Sequence, residues 1–176
     1  GFANTGEQSP ENKLDIYEDR LGSYLIQLSQ HGVSMQDIHT VSRLLHAISD
    51  FERIGDHAEN LVELTDYCME NNIEISDVAN DGLREMMEAV QKALSDSLLA
   101  LRNNNALLAR EVIDTDDEVD RMEATLRKGH IARLNAGACN ATAGAVYLDM
   151  LSNLERIGDH AVNIAQIVLE RERTAK

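Results

Sequence analysis

Apolar residues recur in this chain at three- and four-residue spacing in five successive runs, the 3.6-residue period of helices buried along one side. The first run covers residues 10–30 and carries Leu14, Tyr17 or Leu21, Leu25 and Leu28, with Pro10 suited to a first helical turn and Gly32 to a stop. Ser34 to Asp37 reads as a cap that launches a long second helix to about Glu70, striped by Val41, Leu44, Leu45, Ile48, Phe51, Ala58 and Val62. A third helix starts at Ser76-Asp77 with Leu83, Met86, Met87, Val90, Leu94, Leu98 and Leu101, and three asparagines at 103–105 break or bend it. The fourth runs over about 106–134 with Leu108, Val112, Val119, Met122 and Leu126. The fifth runs over about 140–171 with Tyr147, Leu151, Leu154, Ile157, Ala161, Ile164 and Val168. The pattern predicts an all-α bundle of about five long antiparallel helices.

Composition agrees. One proline, no tryptophan and 3% aromatic residues leave little to build strands from. The net charge of −15 disfavours nucleic acid and anionic membrane as docking partners and makes cations the natural complement. Cys68 and Cys139 match no zinc or redox spacing and read as free thiols. The least charged window, residues 134–148, is too rich in Asn, Thr, Gly and Ala to cross a bilayer, and no leader-like segment opens the chain.

A repeat organises the sequence. Residues 51–60 (FERIGDHAEN) return at 154–163 (LERIGDHAVN), 103 residues on, too long an offset for a solenoid unit and suited to a duplicated half-domain. Upstream, Glu11 lies 41 residues before Glu52 and Asp116 lies 39 before Glu155, so the match extends over two helices with a two-residue indel. The third helix has no counterpart ahead of the first. The expected division is therefore a first repeat at 1–72 lacking its opening helix, and a complete three-helix repeat at 73–176, related by pseudo-two-fold duplication.

Within the repeats, acidic pairs stand four residues apart: Glu11 and Asp15, Glu52 and Asp56, Asp116 and Asp120, Glu155 and Asp159. Each pair stacks on one helix face and repels mildly, which as a single occurrence means only a solvated acidic surface. Four such pairs in duplicate register point instead to cations held between helices. All-oxygen donors suit hard ions: ferric iron, manganese, magnesium or calcium, and less readily zinc. Gly55 and Gly158, costly inside helices, imply close approach by a neighbouring helix or a hydrated ion. Arg53 and Arg156 read as exposed, His57 and His160 as outer-shell or surface residues, Asn60 and Asn163 as outer-shell donors, and His31, His39, His46 and His130 as isolated. No histidine has a glutamate three residues before it, so the di-iron motif of ferritin-like enzymes is missing, as are HExxH, GxSxG and a phosphate-cradling loop.

The twice-given ERIGDHA-x-N, each copy paired with an upstream acidic helix, resembles the PhoU family of bacterial phosphate-regulation proteins. Residues 11–25 and 147–160 are most similar to the PhoU-type C-terminal domain of bacterial sodium/phosphate cotransporters. The resemblance implies a PhoU-like bundle with one metal site at Glu11, Asp15, Glu52 and Asp56 and another at Asp116, Asp120, Glu155 and Asp159. It further implies a non-enzymatic regulatory domain at the cytoplasmic face of the membrane, attached through a transmembrane portion outside this sequence. A membrane phosphate transporter, in the same chain or separate, is the implied partner, with iron, manganese, magnesium or zinc as the metal and a homo-oligomer as one possible assembly. The alternatives are a free-standing PhoU-like negative regulator, a carboxylate-bridged di-metal enzyme such as a phosphatase, and a plain helical scaffold.

Overall fold

A computed structural model of the chain describes residues 10–30 and 34–174; the loose 1–9 segment, His31 and the Gly32 stop expected from the sequence lie outside the described residues. Those residues form five α-helices and no strand: α1 (Pro10–Ser29), α2 (Met35–Glu70), α3 (Asp77–Asn103), α4 (Ala106–Asn135) and α5 (Ala141–Thr174). None is long and apolar enough to cross a membrane.

The local chemistry accounts for the boundaries. Ahead of α2, Ser34 N–H donates to Asp37 Oδ2 (3.0 Å) and Asp37 N–H donates back to Ser34 Oγ (3.2 Å), a reciprocal cap that holds the Asp37 carboxyl below its usual range. The triple asparagine is a true break. Asn104 takes the left-handed conformation (φ 49°) to end α3, and the Asn105 side chain accepts from the amides of Leu107 and Leu108 to open α4. Gly137, at φ +67°, supplies the turn after α4.

The chain groups into two compact units, Gly1–Asp56 and His57–Lys176. In the second, α3, α4 and α5 pack pairwise against one another. The core of α5 is as the period predicts: Tyr147, Leu151, Leu154, Ile157, Ala161, Ile164 and Val168 are all buried. On α3 the prediction is off by part of a turn. The buried positions are Ala79, Gly82, Leu83, Met86, Val90, Ala93, Ser97 and Ala100, so the predicted Leu83, Met86 and Val90 are in the core while Met87 and Leu98 are exposed. Small side chains occupy the contact face so that α3 can lie close to its neighbours, as at Gly82, which seats the end of Leu126. Choosing the largest apolar residues at each turn therefore selects the wrong edge of the stripe.

In the first unit, α1 lies on the early turns of α2, with Gly22 facing Leu45 and Gly55 facing Leu14. Leu25, Val41 and Ala47 are buried, but Tyr17, Leu21, Leu28 and Leu44 are exposed. Two paired helices cover only their facing sides, whereas three helices cover one another on two. Val62, on the later part of α2, is likewise exposed.

The glycines differ in what an alanine would meet. At Gly144 a Cβ would stand 2.5 Å from His130 Nε2 and 2.8 Å from its Cε1, a buried ring with little room to move. At Gly158 it would only touch Val119 Cγ1 at 3.4 Å. Gly144→Ala is expected to destabilise by about 1–3 kcal/mol through overpacking. Gly158→Ala is expected to be neutral or to stabilise by up to about 1 kcal/mol through helix propensity. Urea midpoints at constant slope would test the pair; equal effects would contradict the packing described.

Candidate metal centre

Both repeats bring together the same three positions. Carboxylate oxygens of Glu11, Asp15 and Asp56 lie within 4.8 Å of one another, and so do those of Asp116, Asp120 and Asp159. Glu11 and Asp116 are 105 residues apart, as are Asp15 and Asp120, while Asp56 and Asp159 are 103 apart, so the triads are repeat equivalents. Two come from one helix at i and i+4, and the third comes from the helix packed beside it. A glycine stands one residue before each third ligand, and at Gly55 a Cβ would block the close approach. Gly55 faces Leu14, the residue before Asp15, and Gly158 faces Val119, the residue before Asp120. Each of these glycines lies against a neighbouring helix.

Glu52 and Glu155 stand outside the two close triads but remain coupled to them. Burial first, then Asp56, then Glu18, raise the Glu52 carboxyl, with Arg53 opposing. Glu155 is raised by burial, then by Asp159, with Arg156 opposing and Asp120 and Glu123 adding. Within the second triad, Asp116 is raised by burial and by Asp120, Asp159 and Asp117. Asp159 is raised by burial and Asp120, with His160 and Arg156 opposing. Burial and like charge both disfavour ionisation at these carboxylates, with Arg53, Arg156 and His160 opposing in part, and a bound cation would favour the charged forms. Oxygens within 4.8 Å of one another stand near the spacing of donors around one hard cation, whose ligand distances are about 2.0–2.6 Å. The donor set thus fits a hard cation: Glu11, Asp15 and Asp56 would hold one, and Asp116, Asp120 and Asp159 the other.

The surrounding residues depart from expectation in two places. His57 stacks on His160, ring centroids 5.8 Å apart and 20° from parallel. The side chain of Asn153, which the sequence did not single out, accepts from His57 Nδ1 (2.9 Å) and Asn60 Nδ2 (3.2 Å), so Asn60 turns toward α5. His130 is not isolated: it is buried on α4, its ring 5.3 Å from that of Tyr147 and its Nδ1 4.0 Å from Cys139 Sγ. Its place one turn after Leu126 on the apolar stripe was the signal available in the sequence. Cys68 and Cys139 are free thiols.

Fold and site together define an all-α bundle carrying a duplicated helix-pair motif that converges three carboxylates in each copy. A family model described as the PhoU domain matches residues 8–65 and 83–168, and the chain belongs to the PhoU family. It is 28% identical over 159 residues to a phosphate-specific transport system accessory protein PhoU homolog of Xylella fastidiosa, covering 90% of this chain and 66% of that protein. It is 27% identical over 142 residues to PhoU homolog 1 of Thermotoga maritima, covering 81% of this chain and 60% of that one. The crystal structure of the phosphate transport system regulatory protein PhoU from Streptococcus pneumoniae superposes with a TM-score of 0.81 at 21% identity, over 93% of this chain and 76% of that chain. PhoU from Pseudomonas aeruginosa gives 0.75 at 23% identity, over 93% and 81%.

Proposed function

We propose that this chain is a PhoU-type regulator of phosphate transport whose two carboxylate triads hold hard metal cations. The observation that carries the metal reading is the recurrence of one three-carboxylate geometry at equivalent positions of both repeats. A cation there would offset the mutual repulsion of the clustered carboxylates, which are half-buried in the first triad and half-buried to exposed in the second. The chain's own residues do the rest: Gly55 leaves room for Leu14 between α1 and α2, and the carboxylates of one helix and its neighbour come together in each copy. Loading would clamp α1 to α2 and α4 to α5, and such a clamp can bias the surface offered to a partner.

The relatives are accessory proteins of phosphate-specific transport systems, which supports an accessory regulator acting on a separate membrane transporter ahead of a cotransporter tail. Action at the cytoplasmic face, a role without catalysis and assembly as a homo-oligomer belong to the same reading. Two matched segments in the family comparison support the division into repeats at 1–72 and 73–176. Sequencing the surrounding gene would distinguish the forms, since a block of transmembrane segments in the same chain would favour the tail.

Elemental analysis of the purified protein beside a D159N/E155Q double variant tests the site. Stoichiometric iron, manganese or zinc in the parent, reduced by about half in the variant, is the expected result. Equal metal in both, or none in either after loading, would remove the second site and leave the acidic pairs as a solvated face.

A further inference from the structure

Ten residues beyond Asp120, about 15 Å along α4, the side chains change character. A cleft of about 440 Å³ opens there, lined among others by Glu74, Asp77, His130, Arg133, Cys139 and Tyr147. That volume lies in the range of small-molecule sites, about 300–1,000 Å³. Two long helices begin at its wall, α3 at Asp77 and α5 just after Asn140, and both present the positive end of the helix dipole.

The cleft's polar groups are only partly satisfied by the protein: Arg133 lies beside the Tyr147 phenol and Cys139 beside His130 Nδ1. His130 Nε2, Arg133 Nε and Tyr147 Oη are buried and have no hydrogen-bond partner among the described residues. His130 is 3% exposed and Tyr147 1% exposed. Buried polar groups in folded proteins are almost always paired, so three orphans converging on one cleft call for a polar guest. Their chemistry defines it. A guanidinium N–H only donates, and burial pushes the Tyr147 phenol up against the opposing charge and N–H donors of Arg133 beside it, so the phenol keeps its proton. Burial, and then the Arg133 charge, pull the His130 imidazole down toward its neutral form, so it adds no positive charge. Glu74 and Asp77 are exposed and set a negative rim, which selects against a multiply charged anion.

We propose that this cleft binds a small molecule through a singly charged oxyanion, seated on the wall formed by Arg133 and Tyr147 at the N-termini of α3 and α5. The site is separate from the carboxylate triads and does not depend on their holding metal. Gly144 is part of its construction, since only a glycine there lets the His130 ring close the floor.

Titrating the whole chain with sodium acetate and, separately, with inorganic phosphate at constant ionic strength tests this, read by amide NMR shifts and by calorimetry. Saturable binding of at least one anion is expected, weakened at least tenfold by Arg133→Gln and severalfold by Tyr147→Phe, and unchanged in D159N/E155Q. Binding of acetate alone would identify a carboxylate ligand, and of phosphate alone, strengthening from pH 7 to pH 6 as the monoanion gains, a singly charged phosphate; either supports the site, whereas phosphate binding that strengthens toward pH 8 would overturn it. Tyr147→Phe removes one oxygen and keeps the ring, so it still reads the site if Arg133→Gln fails to fold. Absence of saturable binding by both anions, or binding that neither variant weakens, would overturn the proposal.

Discussion

Metal-free D116N/D159N protein is expected to melt above metal-free parent at pH 7, and to gain nothing from manganese. The sign follows from the site. Asp116 and Asp159 have carboxyl groups raised above the ordinary 3.8, by burial first and neighbouring carboxylates second. The folded state therefore binds more protons than the unfolded one between 3.8 and the raised values. The linked stability is fully present below the unfolded pKa and is lost as pH rises through the folded pKa. At pH 7 the empty cluster is a liability that asparagines relieve, so the melting advantage of the variant should shrink on acidification. A cation relieves the same repulsion in the parent. At a hundredfold excess over its dissociation constant, manganese would add about 2.7 kcal/mol, or roughly 5–10 °C at about 2–4 °C per kcal/mol for a protein of this size. Scanning calorimetry of both proteins, chelated and manganese-loaded, at pH 5 and pH 7 gives all the comparisons. A parent that melts identically with and without manganese, and follows the variant's pH dependence, would show that the triads are ordinary surface acids.

Leu151→Ala is expected to cost about 2–5 kcal/mol, the range for emptying a fully buried leucine site. Leu151 is 0% exposed on α5 at the centre of the three-helix core. Leu21→Ala on α1 should cost much less, near the ±0.5 kcal/mol of surface positions, because Leu21 is 44% exposed. The two leucines look alike in the sequence: each lies on the apolar stripe of a helix in the duplicated motif. Urea denaturation of the two variants would separate them. Similar losses would mean that the face of α1 bearing Leu21 is covered in the protein as it exists in solution.

Much of the molecule was legible before any coordinates, for identifiable reasons. Helix ends are written locally: the Ser34–Asp37 exchange, the asparagines at 104 and 105, and Gly137 each satisfy or redirect the backbone within a few residues. The α5 stripe was legible because its large apolar residues and its buried face coincide. The carboxylate positions were legible because duplication exposes what a single acidic pair conceals. The α3 contact face was not, since close packing there selects Ala79, Ala93, Ser97 and Ala100 over the bulkier Met87 and Leu98. Nor was Asn153, whose partners His57 and Asn60 lie more than ninety residues away in the chain.

By itself, then, the sequence determined five helices, the repeat and the eight acidic candidates, because each depends on spacing along one helix or on self-similarity. Tertiary structure alone decided that Glu11, Asp15 and Asp56, and likewise Asp116, Asp120 and Asp159, converge, with Glu52 and Glu155 coupled to them from one turn earlier on α2 and α5. It also decided that His130, Arg133 and Tyr147 share a cleft. The physical reason is the same in both cases. Convergence is set by how closely two helices approach and how they are rotated, and that is fixed by the glycine and small-residue contacts between them.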